Sequence, residues 1–392
     1  MGLPFIDLKA QQRVIYPRLM ERLQRVLDHG QYILGPEVGE LEEKLARYVG
    51  VKHALSCASG TDALLMALMA YGAGPGHAVF CPAFTFIATA EVVQLAGATP
   101  VFVDIDPVTY NMDPQDLEKK ILTLKDNQSG AKLTPRGVIP VDLFGQPADY
   151  DPICALARKH GLFVLEDAAQ SFGATYRGRR AGSLGDAAAT SFFPAKPLGG
   201  YGDGGAIFTD NDELADVLRS IRVHGQGSNR YDHVRLGING RLDTLQAAVL
   251  LTKLEIFDDE VAARQAAAER YIEALRGHVE VPRVAPDCTS VWAQFSVQSE
   301  ARPQLIKQLQ EAEIPTAIYY PKPLHLQEAY RGLGYRVGDL PVSERIAGRV
   351  FSLPMHPYLS VADQERIAAA IIGGSISRKD AKGAKIKKKI SS

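Results

Sequence analysis

Four short apolar runs recur in the first half of the chain: Ala78–Cys81 (AVFC), Pro100–Asp104 (PVFVD), Val138–Leu143 (VIPVDL) and Leu162–Leu165 (LFVL). Stretches with helical periodicity lie between them, among them Asp62–Ala70, Ala88–Leu95 and Pro152–His160. Apolar runs of this kind read as strands buried on both faces, and the helices supply the crossovers that parallel strands need. The pattern predicts an α/β fold with a mostly parallel central sheet flanked by helices. Ala206–Thr209 reads as one more strand and the polar stretch Thr123–Gly137 as a surface loop.

A long helical pattern from Thr244 to Ala274 leads away from this region. Beyond it, Thr289–Val297 reads as a strand, Arg302–Glu313 as a helix, Thr316–Tyr320 as a strand and Asp363–Ile372 as a helix. That α+β pattern predicts a second, smaller domain at 260–374 after a large domain at 1–259, as 392 residues allow. Residues 375–392 carry seven basic side chains and one acidic one and read as a disordered basic tail.

With a net charge of −1, the chain shows no global bias toward nucleic acid or anionic membrane. Its four cysteines are widely spaced and form no CxxC pair, its nine histidines form no H-x-x-x-H pair, and no metal site is expected. No signal pattern opens the chain, and no stretch approaches the ~18 apolar residues of a membrane span. A cytoplasmic location without membrane attachment is expected.

Three segments carry chemistry. The first is SFFPAKPLGGYGDGG, where Lys196 is followed by Gly199, Gly200, Gly202, Gly204 and Gly205. Small residues let another body approach the ammonium, and an enclosed lysine loses proton affinity and becomes a nucleophile toward aldehydes. An exposed lysine in a flexible loop is the plainer alternative. The accidental G-x-G-x-x-G of Gly200, Gly202 and Gly205 precedes a strand instead of opening a helix, which excludes a dinucleotide fold. The second segment is LFVLEDAAQ, which ends an apolar run on Glu166 and Asp167. A carboxylate at the carboxyl end of a parallel strand sits where open α/β sheets bind ligands, and it can pair with a protonated ring nitrogen. A turn or cap role is the alternative. The third is Ser59-Gly60-Thr61-Asp62 before ALLMALMA, a helix start suited either to a phosphate or to ordinary capping. An aldehyde, a pyridine nitrogen and a phosphate belong together in pyridoxal 5′-phosphate (PLP), interconverting with pyridoxamine phosphate (PMP), so one cofactor accounts for all three.

SFFPAKPLGGYGDGG, LEDAAQSFGA, CASGTDAL, FTFIATAE and NGRLDTLQAA together resemble the DegT family of nucleotide-sugar aminotransferases, PLP-dependent transferases of fold type I. GQYILGPEV, RLDTLQAA and SLPMHPYL resemble the subgroup that aminates UDP-2-acetamido-2-deoxy-3-oxo-glucuronate for surface polysaccharide such as the O-antigen of lipopolysaccharide. The resemblance implies that Lys196 bonds the cofactor aldehyde, Asp167 pairs with the pyridine nitrogen and Gln170 meets the ring hydroxyl. It implies that Phe86 stacks on the ring, that Gly60, Thr61 and Ser191 hold the phosphate, and that Asn239 reaches the phosphate across a homodimer. Arg241, Tyr319 and Tyr320 match positions near the sugar nucleotide. L-glutamate as donor and a nucleotide ketosugar as acceptor follow from the same resemblance. Gly240, Asp142 and the Tyr319-Tyr320-Pro321 run depart from the family pattern. Aminotransfer to another nucleotide 3- or 4-ketohexose and a non-catalytic regulatory role on the same fold are the alternatives. Relatives that act as dehydratases carry histidine in place of the lysine, and Lys196 argues against that chemistry.

Overall fold

The computed structural model of the chain describes residues 2–126 and 133–373. In chain order its strands are β1 (His53–Cys57), β2 (His77–Pro82), β3 (Thr99–Val103), β4 (Thr134–Val138), β5 (Phe163–Asp167), the two-residue hairpin β6 (Thr175–Tyr176) and β7 (Arg179–Arg180), β8 (Ala187–Ser191), β9 (Gly205–Thr209), β10 (Phe295–Gln298) and β11 (Val350–Leu353). Seven of them form one sheet in the order β1-β9-β8-β5-β4-β2-β3. β8, β5, β4, β2 and β3 are parallel neighbours, and β9 runs antiparallel to both β1 and β8. Cys57, Asp167 and Ser191 therefore end their strands at the same edge, where Gly205 begins β9.

Helices cover both faces. Gly60–Ala70 packs on β8 and β9, and its first turn is capped by Ser59 Oγ, which accepts from the Asp62 N–H at 3.0 Å. Tyr150–His160 closes on Gly161 at φ +67° before β5 begins. Gly137 in β4 has a steric reason: a Cβ there would lie 2.2 Å from the Phe163 ring. A separate apolar core, with Tyr271, Trp292, Phe295, Leu309, Phe351 and Ile367, surrounds the antiparallel pair β10-β11. The chain then returns: Leu324, Tyr330 and Leu340 pack into the core beneath the large sheet.

Five readings need correction. The run Val138–Leu143 shares only Val138 with β4, because Pro140 has no N–H for a ladder; Val141 makes one isolated bridge to Asp167. The expected loop Thr123–Gly137 contains the end of helix Pro114–Asp126 and nearly all of β4; residues 127–132 lie outside the described residues. The single helix expected over Thr244–Ala274 is two, Thr244–Leu254 and Phe257–Leu275, parted where Ile256 leaves helical geometry and Glu255 pairs with Arg18 and Arg22 of helix Leu8–His29. Only Phe295–Gln298 of the expected strand Thr289–Val297 pairs, since Trp292 turns the backbone to φ +50°. Thr316–Tyr320 contributes one bridge, Ala317 to Ser352, instead of a strand. The basic tail lies outside the described residues.

Candidate active site

After β8 ends at Ser191, the chain doubles back on itself before entering β9. The Phe192 N–H donates to Gly204 O and the Gly200 N–H to Phe192 O, both at 2.7 Å, and the Lys196 N–H donates to Phe193 O at 2.8 Å. The glycines keep this loop tight: a Cβ on Gly199 would lie 2.5 Å from Pro194 O, and one on Gly205 2.4 Å from Ser59 O. Helix Thr244–Leu254 clamps the loop from outside. Gln246 Oε1 accepts from the Tyr201 N–H at 2.8 Å, and Lys253 Nζ donates to Gly199 O at 2.6 Å. Lys253 is buried, 4.3 Å from the Tyr201 ring centroid, and burial pushes its pKa down to about 8. Sequence reasoning missed Lys253, although a lysine in the apolar run AVLLTKL was a visible signal.

Lys196 lines a cavity of about 420 Å³ at the carboxyl edge of the sheet, together with Asp167 from the end of β5. Burial lowers the Lys196 pKa, and the charge of Asp167 works against that. Burial raises the Asp167 pKa; the Thr89 hydroxyl, the Lys196 charge and the Ala169 N–H oppose it. Asp167 Oδ2 accepts from Thr89 Oγ1 at 2.8 Å and Oδ1 from the Ala169 N–H at 3.2 Å. Thr85, 3.2 Å from Thr89, continues this polar row. The two threonines were not singled out in advance, although FTFIATAE contains both.

The same cavity brings together Gly60, Thr61, Phe86, Gln170, Ser191, Tyr319 and Tyr320. At one end, the first turn of helix Gly60–Ala70 meets Ser191: a Cβ on Gly60 would lie 2.7 Å from Ser191 Cβ. Free N–H groups of a helix start, two hydroxyls and a backbone without Cβ fit a phosphate. At the other end Gln170 is held by both atoms of its amide. Its Oε1 accepts from the Phe144 N–H at 2.8 Å and its Nε2 donates to the Tyr320 hydroxyl at 3.3 Å. Burial raises the Tyr320 pKa. Phe86, half exposed, lies 6.2 Å from the Tyr320 ring, centroid to centroid. A carboxylate for a ring nitrogen, an exposed aromatic face, a desolvated amine and an anion cradle in one cavity fit PLP.

Asn239 and Arg241 do not enter that cavity within one chain. They line a neighbouring one of about 390 Å³, and Asp203 borders both. Arg241 forms no ion pair with Asp243 or any other described residue, and its Nε is buried without a partner. At Gly240 a Cβ would meet Met66 Sδ at 3.0 Å, which favours glycine here.

This sheet, with its lysine loop and strand-end aspartate, defines a PLP-dependent transferase of fold type I. The profile of the DegT/DnrJ/EryC1/StrS aminotransferase family matches residues 14–372, and the chain belongs to that family. It is 52% identical to the UDP-2-acetamido-2-deoxy-3-oxo-D-glucuronate aminotransferase of Pseudomonas aeruginosa over 94% of this chain and 99% of the relative. A DegT DnrJ EryC1 StrS aminotransferase from Brucella abortus superposes with a TM-score of 0.93 at 55% identity, covering 95% of this chain and 99% of that one. NtdA from Bacillus subtilis, solved with bound cofactor PMP, superposes with a TM-score of 0.84 at 29% identity, covering 95% and 85%. The protein is a PLP-dependent sugar aminotransferase.

Proposed function

We propose that the enzyme transfers the amino group of L-glutamate to UDP-2-acetamido-2-deoxy-3-oxo-glucuronate, giving the 3-amino sugar and 2-oxoglutarate. The observation that carries the chemistry is the opposed pair in one cavity: a lysine whose charge burial disfavours and an aspartate whose charge the lysine supports. When bound, PLP supplies an aldehyde that takes up amino groups and a ring that withdraws electrons from the reacting carbon. Lys196 is the amine that would bond that aldehyde in the resting enzyme. With the cofactor bound, its free amine would take the proton from the α-carbon of glutamate and hand it on to the cofactor's aldehyde carbon; in the second half-reaction it would take that proton back and deliver it to C3 of the sugar. Asp167, held by Thr89 and the Ala169 N–H, would keep the pyridine nitrogen protonated. Gly60, Thr61 and Ser191 would hold the phosphate, Phe86 would cover the ring and Gln170 would face the ring hydroxyl, all from the one cavity that they line.

The assembly we propose is a homodimer with shared sites, Asn239 of the partner subunit reaching the phosphate. Exposed apolar side chains support it: Tyr16, Met20, Tyr32 and Ile33 near the amino end, and Tyr231 (84% exposed) and Leu236 (88% exposed) on the segment that leads into Asn239. Tyr319 and Tyr320 lie against the sugar. Arg241, whose Nε has no partner in a single chain, takes the C6 carboxylate of the uronate. The reaction belongs in the cytoplasm, in the synthesis of lipopolysaccharide O-antigen. No described helix is long and apolar enough to cross a membrane.

Colour tests this reading. Purified holoenzyme should be yellow, bleach with L-glutamate, and regain colour with the 3-oxo-glucuronate nucleotide far faster than with a neutral 3-oxo- or 4-oxo-hexose nucleotide. Faster recovery with a neutral sugar would overturn the uronate assignment. No bleaching with glutamate would overturn the donor.

A further inference from the structure

Lys253 is a buried ammonium that the chemistry above leaves unused. It lies in the last turn of helix Thr244–Leu254, 1% exposed, and forms no ion pair with any described residue. The charge of Glu260 acts on it from beyond ion-pair reach, and that carboxylate is already taken by Gln11 Nε2 and the Tyr358 hydroxyl. Its contacts are the Gly199 carbonyl, to which Nζ donates at 2.6 Å, and the face of the Tyr201 ring, 4.3 Å from the centroid. A buried charge without a counter-ion is costly, and a methionine or leucine would fill the same space without that cost. What the charge holds is the loop of Lys196.

That loop depends on outside support. β8 ends at Ser191 and β9 begins at Gly205, so neither strand reaches Lys196. Five of the seven residues from Gly199 to Gly205 are glycine, which leaves the backbone little stiffness of its own. Inside the loop the Lys196 N–H donates to Phe193 O and the Gly200 N–H to Phe192 O. Gly199 lies between those two donors, and its carbonyl is the one that Lys253 takes. A charged donor makes the stronger hydrogen bond, which is what an ammonium adds here. The second support, Gln246 Oε1 on the Tyr201 N–H, stands two turns earlier on the same helix, so one rigid element fixes residues 199 and 201. We propose that Lys253 is a positioning residue for Lys196: by holding the Gly199 carbonyl it fixes the loop that aims the Lys196 amine at the reacting carbon. The assignment rests on the role proposed above for Lys196. Lys253 lines neither cavity of the site and touches no substrate there, so its loss falls on the chemical step and not on binding. A misplacement of about 1 Å costs on the order of a hundredfold in rate.

Lys253→Met keeps an unbranched apolar stem and removes the ammonium. Stopped-flow bleaching of the holoenzyme by L-glutamate gives a limiting rate and a half-saturating concentration. Deuterium uptake of both apoenzyme and holoenzyme, read by mass spectrometry, follows the loop itself. The limiting rate should fall about ten- to a hundredfold, with the half-saturating concentration within about twofold of wild type. Uptake should rise in peptides spanning residues 192–201, with and without cofactor, while the strands of the large sheet stay protected. An unchanged limiting rate, an equal loss in rate and in half-saturation, a slower rate without faster loop exchange, or faster exchange along the whole chain overturns the assignment. Lys253→Gln gives the same comparison should the methionine variant fold poorly. Borohydride trapping on the wild-type enzyme separates the two readings. Cofactor recovered on a lysine other than Lys196 overturns the role of Lys196, and the Lys253 assignment falls with it. Cofactor on Lys196 with unchanged rates in Lys253→Met overturns the Lys253 assignment alone.

Discussion

Lys196 and Asp167 each sit where burial disfavours their charge, and each lowers that cost for the other. Removing one therefore has a different consequence from removing the other. In the proposed mechanism, Lys196→Ala takes away the amine that bonds the aldehyde and moves the α-proton. Turnover should be lost while the fold survives, and borohydride should trap no cofactor on the chain by mass spectrometry; an adduct on another lysine would refute the role. Asp167→Asn keeps a group that accepts from Thr89 Oγ1 but loses the anion proposed to face the pyridine nitrogen. A charge-assisted hydrogen bond contributes about 1.5–3 kcal/mol, so both half-reactions should slow about ten- to a hundredfold with cofactor still bound. Stopped-flow absorbance measures this, and unchanged rates would make Asp167 a structural turn residue. Both side chains were legible in the sequence because each stands beside a local signal: glycines after the lysine, an apolar strand before the aspartate. Thr89 and Lys253 were not, because their significance depends on partners 78 and 54 residues away.

Elements were legible where apolar content is local and opaque where a neighbour decides. β2, β3 and β5 announce themselves as branched and aromatic runs. β8 does not: AAATS carries small side chains because helix Gly60–Ala70 packs directly on it, and only that contact explains the alanines. The break at Ile256 likewise depends on a helix more than two hundred residues earlier. The segment after β4 and the end of β5 hide a further tertiary feature. Asp142 and Glu166 are both fully buried and in contact. Asp142 Oδ1 accepts from the Ala148 N–H and the Tyr150 hydroxyl, Oδ2 accepts from Ser171 Oγ, and Glu166 takes the Gly182 and Leu184 N–H groups. Desolvation raises both carboxyl pKa values, and the charge of Asp142 raises that of Glu166 further, so a proton shared between the two is favoured. Groups raised in the folded state contribute stability below their unfolded values, about 3.9 and 4.3, and lose it as pH climbs through the raised ones. Asp142→Asn removes one of the two charges and keeps an acceptor for Ala148 and Tyr150. Its stability relative to wild type should therefore improve with rising pH, by about 1–3 kcal/mol between pH 5 and 9. Urea unfolding at several pH values reads the difference; a difference constant with pH would show that the pair does not share a proton.

At the scale of the whole molecule, the residues proposed for the site divide between two cavities. Lys196 and Asp167 line one, Asn239 and Arg241 the other, with Asp203 on the border. In sequence Lys196 and Asn239 lie 43 residues apart and Asp167 and Asn239 lie 72 apart, and nothing local says whether they meet within one chain or across two. The exposed Tyr231 and Leu236, on the segment leading to Asn239, favour the second arrangement, since a monomer would leave that apolar surface in water. A shared site has a consequence that a self-contained site lacks. Lys196→Ala and Asn239→Ala chains, each nearly inactive alone, should form hybrid dimers on mixing. In a hybrid, one site carries both lesions and the other carries neither. Random reassortment of equal amounts makes half of the dimers hybrids, each with one intact site of two, so about a quarter of wild-type activity should return. Differently tagged chains, co-purified to verify exchange, make the comparison quantitative. No recovery despite verified hybrids would mean that each chain builds its own site, and that Asn239 and Arg241 act on the lysine cavity of the same subunit.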